Sequence, residues 1–279
     1  MAVTVAGTAA ELSAENYTYL QKHVYRTSGI VLDQNKHYLL EARLLPIVRK
    51  EELGSLNELC DLLRANGGGR VFQEVRDAMT TNETLFFRDA IPFQAIRKVL
   101  IPEKLRERKL SQRLSFWSAA ASSGQEAYSL AMMLLEMGID SRNIEILATD
   151  ISDKILEQAV AGRYSQAEVG RGLPAQQLVK YFRREKAEWQ IKDEVRRLVR
   201  FQSFDLRERM NQLGRFDFVL CRNVLIYFDI ATKKQILREL EGVLNPQGLL
   251  LLGGSETTLN ITEAFDRRLV EGASFYQKR

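Results

Sequence analysis

Between Leu114 and Met137 (LSFWSAAASSGQEAYSLAMMLLEM) a short apolar run ending at Trp117 gives way to a turn of small residues. Apolar positions then recur at three- and four-residue spacing: Ala127, Leu130, Ala131, Leu134 and Met137. That spacing predicts a helix with one buried face. Ser122 or Ser123 can cap it, and Gly124 permits a tight turn. Strand, small-residue loop and helix N-terminus is how α/β proteins hold a ligand at the carboxyl edge of a sheet.

The hydrophobic pattern divides the rest of the chain in two. Residues 13–80 are helical in period. Tyr17, Leu20 and Val24 mark a first helix stopped near Gly29. Asp33 can cap a second, running through Tyr38, Leu39, Ala42 and Leu45 until Pro46 kinks or interrupts it. Ser55 and Glu58 make a capping box for a third, ended by Asn66 and Gly67 to Gly69. Arg70 to Met79 form a fourth. Residues 1–12 read as a disordered lead, and 81–92 as a joint in which Asp89 can cap a helix beginning near Pro92.

From residue 93 onward strands and helices alternate. Ile144 to Ala148, Val199 to Phe204, Phe216 to Cys221 and the run LLLLGG read as buried strands. Residues 180–198 are charge-rich and fit a crossover helix poorly, so short antiparallel strands forming a flap are expected there. Arg267 to Val270 and Ser274 to Gln277 predict a closing hairpin around Glu271 and Gly272. The expected fold is therefore α/β: a mostly parallel, Rossmann-like sheet of the class I methyltransferase kind with a C-terminal antiparallel hairpin, a small β-flap insertion and a small all-α domain in front.

Composition adds limits. The chain has 279 residues, 45% hydrophobic and 27% charged, as in ordinary globular proteins. A net charge of +4 with pI near 9.0 does not by itself argue for nucleic acid. Cys60 and Cys221 are far apart with no metal-ligand spacing, which fits a reduced cytoplasmic compartment and no metal. No apolar run reaches membrane-spanning length.

The turn after Trp117 lacks both the G-x-G-x-x-G of dinucleotide folds and the G-x-x-x-x-G-K-[ST] of phosphate loops. Glu126, in the first helical turn, would repel a pyrophosphate and suit a cationic ligand such as S-adenosylmethionine; alternatively it only complements the helix dipole. Asp150, just after the second strand, stands where ribose hydroxyls are bound in this layout, or else caps the following helix. Asn82, Thr84 and Arg88 in the joint are candidate ligand contacts, against a plain role in capping and a surface ion pair. Lys36, Arg43 and Lys50 recur every seven residues, with Arg49 beside them, forming either a docking stripe or a solvated face.

TNETLFFR (81 to 88), FWSAAASSGQEAYSLAM (116 to 132), ATDIS (148 to 152) and CRNVLIYF (221 to 228), in that order, closely resemble the chemoreceptor methyltransferases of the CheR family over nearly the whole chain. The resemblance implies methyl transfer from S-adenosylmethionine to glutamate side chains on the cytoplasmic helices of bacterial chemoreceptors. It implies a cofactor site of Asn82, Thr84, Arg88, Glu126, Asp150, Asp205, Leu206, Asn223 and Val224, with Arg88 and Tyr227 facing the transferred methyl group. Gln125 and Ala127 stand where the family commonly has Glu and Pro, and Asp205 where Asn is frequent. The flap lacks the glycines of members that grip a receptor's C-terminal pentapeptide, so no such tether is expected. CRNVLIYF lacks the Asn-Pro-Pro-Tyr type run of adenine amino-methylation, so no nucleic-acid partner is expected either. A cytoplasmic monomer with no membrane insertion is the corresponding expectation. The competing functions are a noncatalytic S-adenosylmethionine sensor or scaffold and an NAD(P)-dependent oxidoreductase.

Overall fold

A computed structural model describes residues 12–33, 37–65, 69–107 and 113–279. Lys36, Asn66, Gly67, Gly68 and all of the expected lead except Leu12 lie outside the described residues. The chain divides into two compact units, Met1–Thr81 and Asn82–Arg279.

The first unit packs α1 (Ala14–Ser28), α2 (His37–Lys50), α3 (Leu56–Ala65) and α4 (Arg70–Met79) around one apolar cluster that includes Leu20, Val24, Leu40, Leu44, Leu59, Val75 and Met79. Leu12 is buried in the same cluster. The Ser13 hydroxyl accepts from the Asn16 N–H to start α1, and Gly29 closes it at φ 75°, a conformation glycine adopts without strain. Pro46 does not interrupt α2. It removes only one backbone donor, it lies exposed, and buried Leu44, Ile47 and Val48 anchor the helix on either side. At α3 the Ser55 hydroxyl accepts from Glu58 N–H, while the Glu58 carboxylate reaches back to Gly54 N–H, one residue before the capping-box position.

In the second unit, α5 (Ala90–Ala95) runs through a π-helical turn at Ile96–Leu100 into α6 (Ile101–Glu107). Then come β1 (Leu114–Ala119), α7 (Gln125–Glu136), β2 (Ile144–Asp150) and α8 (Asp153–Ala161). An insertion follows: β3 (Arg163–Ser165), α9 (Gln166–Val169), α10 (Ala175–Tyr181), β4 (Phe182–Glu185), β5 (Glu188–Ile191) and α11 (Asp193–Arg196). The chain finishes with β6 (Val199–Ser203), β7 (Phe216–Cys221), α12 (Ile230–Val243), β8 (Leu244–Leu252), β9 (Phe265–Val270) and β10 (Ala273–Lys278). The main sheet has the order β6-β2-β1-β7-β8-β10-β9, parallel except for β10, which pairs antiparallel with β8 and β9. This is the class I methyltransferase fold.

Alternation along the strands feeds two cores, one on each face. Phe116, Phe218, Leu249 and Leu251 join α5 to α7 in one, and Trp117, Val219 and Leu250 join α12 in the other. The C-terminal hairpin turns at Glu271 (φ 49°) and Gly272 (φ 83°), the paired positive φ of a primed two-residue turn. The flap is a separate three-stranded antiparallel sheet, β3-β5-β4. Its β3 lies upstream of the expected 180–198, because Arg163 to Ser165 pair with β5.

Candidate functional site

Four parallel strands end level. Ala119 lies opposite Thr149 on one side and Cys221 on the other, and Asp150 opposite Ser203. The strand order reverses at β1, between β2 and β7, so residues 120–126, 204–206 and 222–227 gather at one edge where ligands bind in such sheets. The backbone there is strained. Ala120 (φ 58°), Ser122 (φ 52°) and Asn223 (φ 58°) are left-handed without being glycine, as are Phe87 (φ 48°) and Asp89 (φ 56°) in the former joint. Such conformations cost about 1–3 kcal/mol each and persist where surroundings over-determine them.

Hydrogen bonds supply that constraint. Neither Ser122 nor Ser123 caps α7. The cap position is Gly124 (φ 88°), while Ser122 Oγ donates to Asn82 O (2.9 Å) and Ser123 Oγ to Gln125 Oε1 (2.8 Å). Asp150, buried, accepts from Ser122 N–H on Oδ2 (2.9 Å) and from Ser152 N–H on Oδ1 (3.1 Å). It therefore ties the small-residue turn to the end of β2. The cap of α8 is Ser152, whose hydroxyl accepts from Ile155 N–H.

Segment 82–89 is pinned along this edge by its backbone and its aromatics. Phe86 is buried against Tyr164 and Phe182, edge to face at 5.0 and 5.6 Å. Phe87 N–H donates to Ser129 Oγ (2.9 Å). Gly172 (φ +83°) passes so close that a Cβ there would lie 2.0 Å from the Phe86 carbonyl oxygen, so only glycine fits. Arg88 is half-buried, and its guanidinium donates to Glu83 O (3.2 Å). Asn82 and Thr84 are half-buried on the same segment. Asp89 stands at the start of α5 but makes no cap hydrogen bond, because its carboxylate is turned to an arginine.

That arginine is Arg222, which sequence reasoning missed. Its side chain is 3% exposed and holds Glu126 Oε2 (2.9 Å), Asp89 Oδ2 (2.6 Å) and the Arg88 carbonyl (3.1 Å), leaving Nε buried without a partner. Glu126 also accepts from Ser118 Oγ (2.8 Å). So Glu126 is not a bare anion at a helix end: it is bound to β1 and, through Arg222, to the Arg88 segment. A signal existed in the sequence, since an arginine directly after the buried strand FDFVLC must find acidic partners.

The remaining candidates lie on neighbouring loops. Asp205, where the family often has Asn, is paired with Arg207 (2.6 Å), so its extra charge is neutralised locally. Leu206 is buried and Val224 packs on the same core. Asn223 Oδ1 is buried with no hydrogen-bond partner, and Tyr227 is half-buried at the end of a 3₁₀ turn, Leu225–Tyr227. Cys221 is buried, which pushes its thiol pKa well up, helped by Glu256 and Glu126, so it is no nucleophile.

At this edge stand two carboxylates, Glu126 held by Ser118 and Arg222 and Asp150 held by two backbone amides, together with the orphaned Asn223 oxygen. That set fits a cofactor with hydroxyls, an ammonium group and a sulfonium, and does not fit a pyrophosphate.

A model of the CheR methyltransferase SAM-binding domain matches residues 82–271, and one of the CheR methyltransferase all-alpha domain matches residues 15–80. The chain belongs to the CheR methyltransferase family. It is an S-adenosylmethionine-dependent methyltransferase. Chemotaxis protein methyltransferase 1 of Pseudomonas aeruginosa is 40% identical over 262 residues, covering 91% of this chain and 95% of that protein. Chemotaxis protein methyltransferase Cher2 of Pseudomonas putida is 38% identical over 276 residues, 96% of this chain and 100% of that protein. A chemotaxis protein methyltransferase of Vibrio anguillarum is 41% identical over 268 residues, 93% of this chain and 95% of that protein. Both CheR domains thus correspond to the two compact units seen here.

Proposed function

We propose that this CheR-family enzyme esterifies glutamate side chains on the cytoplasmic helices of bacterial chemoreceptors, acting as a cytoplasmic monomer without a pentapeptide tether. The observation that carries the reading is a methyltransferase unit with no histidine, both histidines of the chain lying before residue 82, and a thiol too basic to act. A glutamate carboxylate, with an unperturbed pKa of about 4.3, is ionised at neutral pH and needs no general base. S-adenosylmethionine supplies a methyl group on a sulfonium. The carboxylate oxygen forms the new bond to methyl carbon, the carbon–sulfur bond breaks with its electron pair going to sulfur, and no proton moves.

What the chain contributes is placement. Arg88 donates a charge-assisted hydrogen bond to the acceptor carboxylate and offsets its desolvation, and the Tyr227 hydroxyl orients it. Asn82, Thr84, Arg88, Glu126, Asp150, Asp205, Leu206, Asn223 and Val224 hold the cofactor, Asp150 at the ribose and Glu126 at the cationic end. Relatives named chemotaxis protein methyltransferases support the substrate class. The test is transfer of radiolabelled methyl from S-adenosylmethionine to receptor cytoplasmic fragments, with mass-spectrometric site mapping. Base-labile esters on glutamate are expected. Label on amines, or none on any fragment, overturns the reading.

A further inference from the structure

Glu256 belongs to none of the motifs discussed so far, yet its carboxylate collects four main-chain donors. Oε2 accepts from Asn223 N–H and Gly253 N–H, both at 2.7 Å, and Oε1 from Val224 N–H (3.0 Å) and Ile226 N–H (3.2 Å). Its own N–H donates to Gly253 O (2.9 Å), closing the turn that follows β8. Three of the four donors belong to the segment where the chain leaves β7 and enters the 3₁₀ turn, amides that have neither a strand partner nor a preceding helical carbonyl. One carboxylate therefore fixes the segment that carries both Asn223 and Tyr227.

The neighbourhood is built for that contact. A Cβ at Gly253 would lie 2.7 Å from Glu256 Oε2 and 2.8 Å from both N and Nδ2 of Asn223, so no other residue lets the carboxylate and the loop approach so closely. Asn223 is held at φ 58°, a strained conformation the clamp over-determines, and its Oδ1 is buried with no partner of its own.

We propose that Glu256 is a positioning residue for methyl transfer, its carboxylate holding residues 223–227 so that Asn223 meets the cofactor and Tyr227 the acceptor. The inference rests on the roles assigned above to Asn223 and Tyr227. Glutamine is the discriminating substitution. It has nearly the same shape, but its NH2 group would face N–H donors where an acceptor is required. Aspartate keeps both acceptors on a stem one carbon shorter.

In the full-length chain, Glu256→Gln should speed amide hydrogen exchange at Asn223, Val224 and Ile226 by about tenfold to a hundredfold, the loss of a hydrogen bond to a charged group. Exchange in β1, β2 and β7 should stay as in the wild type. S-adenosylhomocysteine should bind more weakly by a similar factor of about ten or more, and kcat at saturating cofactor should fall, with Glu256→Asp recovering part of both. Wild-type affinity and kcat in Glu256→Gln overturn the proposal, as does faster exchange spread evenly over the whole unit. Should the glutamine variant fail to fold, the aspartate variant decides: wild-type affinity and turnover with loosened 223–226 amides overturn it. If the wild-type enzyme labels no receptor glutamate, the substrate reading fails, while exchange and product binding still report on the clamp.

Discussion

Arg222 carries a guanidinium into a place with almost no solvent, and Glu126 and Asp89 are what make that tolerable. Breaking a buried pair by removing one partner costs about 3–5 kcal/mol, because the other charge is left uncompensated. Arg222→Met should accordingly lower stability by about that amount in chemical denaturation. Glu126→Gln, whose one oxygen can still accept from Arg222 while its NH2 group donates to Ser118 Oγ, should cost less and weaken S-adenosylhomocysteine binding instead. Equal stability of Arg222→Met and wild type would mean that the triad carries no net energy. Asp150 ties the turn, and in the proposed function it also holds the ribose, so Asp150→Ala should lower affinity by about 1.5–3 kcal/mol and the melting temperature as well. Unchanged affinity with a lower melting temperature would reduce it to a turn residue. Arg88→Ala and Tyr227→Phe, at half-buried positions, should leave the melting temperature unchanged and slow methyl transfer at saturating cofactor. Full turnover in both would remove them from the mechanism.

Among the elements, α1 and α4 trap a titratable group. His23 is buried, its ring 4.0 Å edge-on from Phe72, and both ring nitrogens lack hydrogen-bond partners. Burial, and then the nearby Arg26 charge, push its pKa below the usual histidine value; the Phe72 backbone is near enough to offset part of this without making a bond. The unfolded chain then binds the proton more readily than the folded one. Stability contributed by neutral His23 is complete above about pH 6.5 and is lost as pH falls below it. Thermal melts at pH 7.5 and 5.0 should show a larger drop for the wild type than for His23→Leu, and equal drops would refute the assignment.

The elements that could be read from sequence were those set by local periodicity or turn chemistry. Examples are α4, with Val75 and Met79 inward, and the hairpin turned by Glu271 and Gly272. What could not be read depends on partners distant in sequence. Pairing of Arg163 with Gln190 completes the flap, Arg222 draws Asp89 away from its cap, and Glu256 reaches back to Asn223. Ser122 illustrates the same limit, since its local use as a cap was overridden by the distant Asn82 carbonyl, whereas Ser123 is taken up by Gln125 two residues on. Candidate site residues could be named by motif because the fold brings strand ends to one edge; of the residues that brace that edge, Arg222 is marked by following a buried strand, whereas Glu256 carries no local mark.

At the scale of the molecule, a mild net charge of +4 leaves attraction of an acidic receptor helix to local cations, and the proposed stripe Lys36, Arg43, Arg49 and Lys50 divides by what each side chain does. Arg43 donates to the carbonyls of Met79 (2.7 Å) and Thr80 (3.0 Å) and to Thr81 Oγ1 (2.9 Å), where a cation complements the C-terminus of α4. Reversing it would test folding and not docking: Arg43→Ala alone should cost about 1.5–3 kcal/mol. Lys50 pairs with Glu74 at 2.7 Å, but it is more than half exposed, and such pairs are worth at most about 1 kcal/mol. Arg49 is exposed. Docking is therefore best probed by Arg49→Glu with Lys50→Gln, which should raise KM for receptor fragments while leaving the melting temperature and S-adenosylhomocysteine affinity close to wild type. Wild-type KM should also rise with added salt, since exposed charges are screened over about 8 Å at physiological ionic strength, and the double variant should lose most of that dependence. If KM and its salt dependence survive both substitutions, this end of α2 is a solvated face and the receptor is drawn in by other cations.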